Sequence, residues 1–253
     1  MDRPLNSPFA PRRRAAAFPF AARQGGFTLV EMAVVLVIIG VILGAVMIGR
    51  DAQRNAEYLR IRQTFINQWA MAYNSYIQRA GVPPGDNVAA PSLRVKGAGA
   101  AAGAGPLAIC EGATAPAGVG DATPASNLRA TMREMGVQLP NGRGAGFEDR
   151  YVYLDTNGNP VQLQVCFQFN LPGTASGSGN VMVISGLVPD LARSLDVAID
   201  GVVLANAGRF REVVAVGDPG AAWSVNNTAD TAGGTADDDS GIAQVNAHYK
   251  MNQ

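Results

Sequence analysis

Residues Gly25–Gly44 read GGFTLVEMAVVLVIIGVILG, an almost wholly apolar run with one carboxylate, Glu31, near its start. The run extends from Phe27 to Met47, 21 residues with that single charge. At a rise of ~1.5 Å per residue, a helix of this length measures about 32 Å, close to the ~30 Å hydrocarbon core of a bilayer. An acid at the centre of such a span costs roughly 2.5–3.5 kcal/mol. Glu31 lies nearer the end, where a helix N-terminus favours negative charge by about 0.3–1 kcal/mol. A tolerated interfacial acid is one reading of this residue; what precedes it supplies another.

Residues 1–26 carry five arginines (Arg3, Arg12, Arg13, Arg14 and Arg23) against Asp2, a net +4 in a chain whose formal charge is zero, so the remainder is −4. They show no apolar periodicity and are read as a basic leader outside the fold. A basic head before an apolar run keeps the N-terminus cytoplasmic and places the rest across the membrane. Gly25–Gly26 is a small, flexible site at which a peptidase could cut before Phe27. The cut would remove the leader arginines and expose an α-amine with a pKa of about 7.7–8.0. That cation lies four residues from Glu31, in a low-dielectric setting where an ion pair gains strength. Between staggered copies, the amine of one chain could meet the carboxylate of the next.

Downstream, no proline occurs between Phe27 and Val82, so the helix is predicted to continue through RDAQRNAEYLRIRQTFINQWAMAYNSYIQRAG. Ala52, Ala56, Leu59, Ile66, Trp69, Tyr73, Tyr76, Ile77 and Ala80 keep a three-to-four spacing, interrupted by Gln63, which predicts an amphipathic helix over residues 50–80. Gly81 and the following PPGD end it. Residues 88–127 are rich in Ala, Gly and Pro and read as a long loop pinned around Cys110. A short helix is expected at Leu128–Met135, capped by Ser126 or Asn127. Residues 150–216 are strand-rich. Tyr151, Tyr153, Val161, Leu163, Val165, Phe167 and Phe169 alternate about an Asn157–Asn159 turn, a hairpin pattern. Further strands are expected at Val181–Ser185, Val202–Leu204 and Phe210–Val216, with a short helix at Pro189–Ile199. The tail, residues 217–253, is polar and read as loop.

With the basic leader and the Gly-Phe-Thr-Leu-x-Glu start of the apolar run, Gly25–Gly44 resembles the class III signal of type IV prepilins and type II secretion pseudopilins. The resemblance implies a prepilin peptidase that cuts after Gly26 and N-methylates Phe27, and an assembly role for Glu31, which pairs with a neighbour's N-terminus. It also implies an α+β fold of the pilin-like αβ-roll type. In it, a transmembrane and filament-core helix (27–49) continues into an extracytoplasmic domain (50–253) packed on an antiparallel sheet. GVPPGD at Gly81–Asp86 is similar to the helix-ending turn of many pilin-like proteins. Many pilins carry a proline in the membrane half of this helix; here Gly40, Gly44 and Gly49 are its only weak points. Implied partners are the peptidase, other pilin or pseudopilin subunits, an inner-membrane assembly platform and lipid. The expected location is a single-pass inner-membrane protein, or an extracellular filament after assembly into a pilus. An alternative is a low-abundance minor subunit acting at a tip as an adhesin or DNA-binding module. An uncut signal-anchor is the competing reading of the segment. A Sec-type signal would need a small-residue cleavage site after the apolar core, and no A-x-A pattern stands there.

Other features carry less. Gly40 and Gly44 form a G-x-x-x-G spacing that lets membrane helices approach closely. Cys110 and Cys166, outside the cytoplasm, suit a disulfide; two buried free thiols are the other possibility. Two cysteines and a distant His248 do not make a zinc site. No cofactor is expected. Asp237, Asp238 and Asp239 offer oxygen ligands for calcium, but a solvated acidic turn fits them better. A single histidine, no H-E-x-x-H and no phosphate-cradling glycine loop argue against an enzyme. The mildly acidic exported part gives no nucleic-acid footprint.

Overall fold

A computed structural model describes residues 26–97, 107–112, 116, 119–120, 127–213, 223 and 244–251. It divides into two units, residues 1–51 and 52–253. The leader up to residue 25, most of the 98–126 segment and the Asp237–Asp239 run lie outside the described residues. The architecture is α+β, a long N-terminal helix and an antiparallel sheet of six strands, consistent with a pilin-like fold.

Helical structure is continuous over Leu29–Ala80. It comprises α1 (Leu29–Ile61), a π-helical turn at Arg62–Ile66 and α2 (Asn67–Ala80). Gly81, at φ 74°, closes α2 by donating its N–H to the Ile77 carbonyl, the left-handed cap that glycine supplies without steric cost. The aromatic side of this segment forms one half of the core. Trp69 and Tyr73 pack on Phe167 with ring centroids 6.1 and 5.0 Å apart, and Phe65 packs on Tyr151 at 5.4 Å. Trp69 Nε1 donates to the Glu148 carbonyl at 3.1 Å, so the indole is buried with its polar handle satisfied.

The buried stripe departs from the expected one before the π turn. Tyr58, Ile61 and Phe65 are buried, whereas Ala52, Ala56 and Leu59 are exposed. A π turn inserts one residue into the helical count. That rotates every upstream position by about 100° on a helix of ~3.6 residues per turn, which moves the core from Leu59 to Tyr58. Gln63, which interrupts the stripe, lies inside this turn.

The sheet contains β1 (Ala108–Ile109), β2 (Arg150–Leu154), β3 (Pro160–Asn170), β4 (Gly179–Leu187), β5 (Phe210–Glu212) and β6 (Val245–Lys250). Its order is β1-β3-β4-β6-β5, with β2 also paired to β3. Helix α3 (Leu128–Glu134) precedes β2, and α4 (Pro189–Asp200) follows β4. Strand alternation sends Val161, Leu163, Val165 and Phe167 into the aromatic core, with Met182 and Ile184 of β4. The β2–β3 turn is closed by Asp155, whose carboxylate accepts from the N–H groups of Asn157 (2.8 Å) and Asn159 (2.7 Å). Tyr153 ties the β4–α4 corner. Its hydroxyl donates to the Gly186 carbonyl at 3.0 Å and accepts from the Val188 N–H at 2.9 Å.

The opposite sheet face holds a smaller cluster of Ala108, Cys110, Cys166, Val181 and Val183. Cys110 and Cys166 are disulfide-bonded, Cα atoms 4.6 Å apart, which attaches the segment after β1 to β3. Beside them Gln168, Asn170 and His248 are buried. The Asn170 amide lies 2.9 Å from His248 Nδ1 and donates to the Gly177 carbonyl at 2.7 Å. Gln168 Oε1 accepts from the Gly120 N–H. Burial depresses the His248 pKa from 6.5 to about 4.

Two further expectations are corrected. The tail is not all loop: Val245–Lys250 is β6, an inner strand between β4 and β5. Its Val-Asn-Ala-His-Tyr-Lys alternation is the strand signal, set in a polar stretch. Val202–Leu204 is not a strand but an exposed loop. It is held where the Leu204 N–H donates to buried Asp196 (2.8 Å), which also accepts from Trp223 Nε1 (2.7 Å). Helix α3 starts after Asn127, whose side chain makes no capping bond.

Tyr153→Phe should destabilise the protein by about 1–3 kcal/mol, because a buried N–H and carbonyl lose their shared partner; denaturant unfolding of the detergent-solubilised protein measures it. His248 gives a pH signature. The unfolded chain takes up a proton below pH 6.5 that the fold refuses until about pH 4. Its contribution is therefore whole above 6.5 and is lost as pH falls, at up to about 1.4 kcal/mol per pH unit. Between about pH 7 and 4.5, His248→Gln should lose about 2–3 kcal/mol less stability than the parent. Parallel acid losses in the two proteins would refute this.

Candidate processing and assembly site

The functional segment begins with residues that have no fold of their own. Gly26 and Phe27 precede the first helical turn, and Phe27 is 81% exposed. The peptide bond between them is open to an incoming peptidase, and a side chain on Gly26 would meet nothing within 4 Å.

Helix α1 starts two residues later, and its start is built by Thr28 and Glu31. The Thr28 carbonyl accepts the first intrahelical bond, from the Met32 N–H (3.2 Å). The Thr28 hydroxyl oxygen accepts from the Glu31 N–H at 3.2 Å. In return, one Glu31 carboxylate oxygen accepts from the Thr28 N–H and from the Thr28 hydroxyl, each at 2.9 Å. This is a capping box: an N-cap Thr and an acid three residues on satisfy each other's backbone donors. Glu31 therefore has a local partner within its own chain, and its carboxylate is held at the very end of the helix. Thr28 was not singled out from the sequence as a functional residue. The signal was there, as T-x-x-E directly before an apolar run.

Behind this cap every residue from Leu29 to Arg50 is exposed. None of the helix's most apolar stretch is buried. A surface of Leu, Val, Ile and Met this extensive has no place in water; the helix is long and apolar enough to cross a membrane. Gly40 and Gly44 lie one turn apart on it, with open space where each Cβ would stand. Cys110 and Cys166 are remote in sequence from this segment and belong to the second unit, where they are bonded to each other.

The second unit contains one dense charge cluster. Arg129 of α3 bonds Glu111 at 2.7 Å and Glu148 at 3.1 Å, and Arg133 also pairs with Glu148. Asp149, fully buried, receives Gln164 Nε2 at 3.3 Å, and burial raises its pKa. The cluster links α3, the segment after β1 and the start of β2, and every cation in it faces a carboxylate. That is the arrangement of a structural tie rather than a reactive centre. No group of three or more His, Cys, Asp or Glu that could hold a metal occurs among the described residues.

No curated protein and no solved structure matches the chain. A family model does, over residues 21–47: the prokaryotic N-terminal methylation motif. Its span covers Gly26 and Phe27, the capping box and most of the exposed apolar helix. The chain thus carries, over these residues, the class III prepilin signal typical of type IV pilins and pseudopilins, and the motif supports a prepilin-peptidase-processed, type IV pilin-like protein.

Proposed function

We propose that the protein is a structural subunit, cut between Gly26 and Phe27, N-methylated on Phe27 and assembled by helix packing into a type IV pilus or a type II secretion pseudopilus. The observation that carries this reading is the Thr28–Glu31 box at the head of an unburied apolar helix. Cleavage after Gly26 leaves the Thr28 N–H an ordinary amide, so the box survives processing. It also creates a cationic amine on the adjacent residue. Glu31 then has two possible partners, its own Thr28 and the Phe27 amine of a neighbouring copy.

The exchange has a favourable sign. A neutral N–H or O–H bond to a carboxylate is weaker than a charge-assisted bond to an ammonium group, and in a dry helix bundle the difference grows. In the membrane the box keeps the carboxylate tolerable. In the filament, pairing with the next subunit fixes the axial stagger between helices. Gly40 and Gly44 let neighbouring helices come close, and the absence of proline leaves the helix free of a built-in break. The N-terminal side of the helix faces the cytoplasm and the second unit lies across the membrane, as the leader arginines direct.

Glu31→Val should leave membrane insertion intact and reduce incorporation into sheared filaments by at least about tenfold, the effect of losing ~1.4 kcal/mol of pairing. Thr28→Val, which removes the hydroxyl but not the carboxylate, should reduce it less. Normal incorporation of Glu31→Val would overturn the proposed role of the carboxylate.

A further inference from the structure

The β5 edge of the sheet and the neighbouring end of β6 carry a second concentration of charge, which is basic among the described residues. Arg209, Arg211 and Lys250 line a cavity of about 180 Å³, whose other wall is the 174–178 loop with Ser176 and Ser178. Among the described residues that line it, none is acidic. Lys250 stands opposite Arg209: the Lys250 N–H donates to the Arg209 carbonyl at 2.7 Å, and the Arg209 guanidinium donates to the Lys250 carbonyl at 3.2 Å. Arg211 lies two residues along β5, opposite His248. Among the described residues neither Arg211 nor Lys250 has an ion pair. The nearby carboxylate of Asp200 is engaged by the backbone N–H groups of Arg209 and Phe210, both at 2.8 Å.

The cavity is also held in shape. Asn170, buried beneath it, donates to the Gly177 carbonyl at 2.7 Å. The Gly177 N–H donates to Thr174 at 3.0 Å. The Arg209 guanidinium lies over the Tyr249 ring at 5.4 Å, and Arg211 Nε donates to the Gly208 carbonyl at 2.9 Å. Arg211 thus keeps its terminal nitrogens for another acceptor. A liquid water occupies ~30 Å³, so the space admits one tetrahedral oxyanion with a few waters.

We propose that this cavity is a binding site for a terminal phosphate group, held by Arg211 and Lys250 with Arg209 behind them and the Ser176 and Ser178 hydroxyls completing the shell. Guanidinium forks match phosphate oxygens in pairs, and lysine adds a point charge. The site takes the phosphate alone, whether free or at the end of a small monoester.

The test is isothermal titration of the full chain, in uncharged detergent, with inorganic phosphate and separately with glycerol 3-phosphate, against a chloride background. Phosphate should bind the parent protein, and Arg211→Gln with Lys250→Gln should weaken it at least about tenfold. Arg60→Gln with Arg62→Gln, which removes two charges from the helix, should not. Glycerol 3-phosphate binding as well as phosphate identifies the monoester as a ligand; binding of phosphate alone identifies the free ion. Lys250→Gln by itself guards against misfolding, since its ammonium group has no hydrogen bond or ion pair among the described residues, and it should weaken phosphate several-fold. Absence of phosphate binding to the parent, or equal binding to parent and double variant, overturns the proposal.

Discussion

An apolar helix that starts at the edge of a bilayer has a problem at its first turn. Its leading N–H groups have no intrahelical acceptor, and in hydrocarbon there is no water to supply one. Thr28 and Glu31 answer part of this locally: three bonds between the two residues satisfy the N–H groups of both. The isolated carboxylate is thereby part of the helix start rather than a blemish in it. It also stands where the helix dipole favours a negative charge, and four residues from the terminus that cleavage would create. Local capping engages one oxygen of the carboxylate that the proposed subunit pairing would also use.

The second unit depends on a different arrangement. α2 presents Trp69, Tyr73 and Tyr76 to a sheet whose middle strands are β3, β4 and β6, so the last described strand closes a core begun by the first helix. Among the described residues β5 joins the sheet through β6 alone. Trp223 lies stacked on Phe210 at 5.3 Å, bonded to Asp196, and so fastens one point of the long β5–β6 connection to α4. On the other face, the Cys110–Cys166 bond attaches the segment after β1 to β3, in the same layer as the buried Gln168, Asn170 and His248.

What was legible in the amino-acid order follows the range of the interaction. The apolar run, the Gly81 cap with PPGD, the Asp155–Asn159 turn and α4 are set by residues within a few positions of one another, and they stand where the patterns put them. The core stripe before Phe65 was displaced because a π turn leaves almost no mark in sequence beyond the misplaced Gln63. β6 was missed because its partner β4 is more than fifty residues away and its neighbours are Ala, Gly, Asp and Asn, which have no strand bias. Val202–Leu204 has that bias, but both sides of β6 are already taken, by β4 and β5. At the head of the helix the apolar run and its lone acid were legible, and the Thr28 half of the capping box was not. The carboxylate had been read only for its charge and not as a hydrogen-bond acceptor for the turn that precedes it.

The account rests on the bond between Gly26 and Phe27 being severed in the working protein. Its most direct test is mass analysis of the N-terminus of the protein purified from membranes of cells with an active prepilin peptidase. The account requires a chain beginning at N-methylated Phe27. A chain still beginning at Met1 would leave Glu31 with no neighbouring amine to meet and would contradict it.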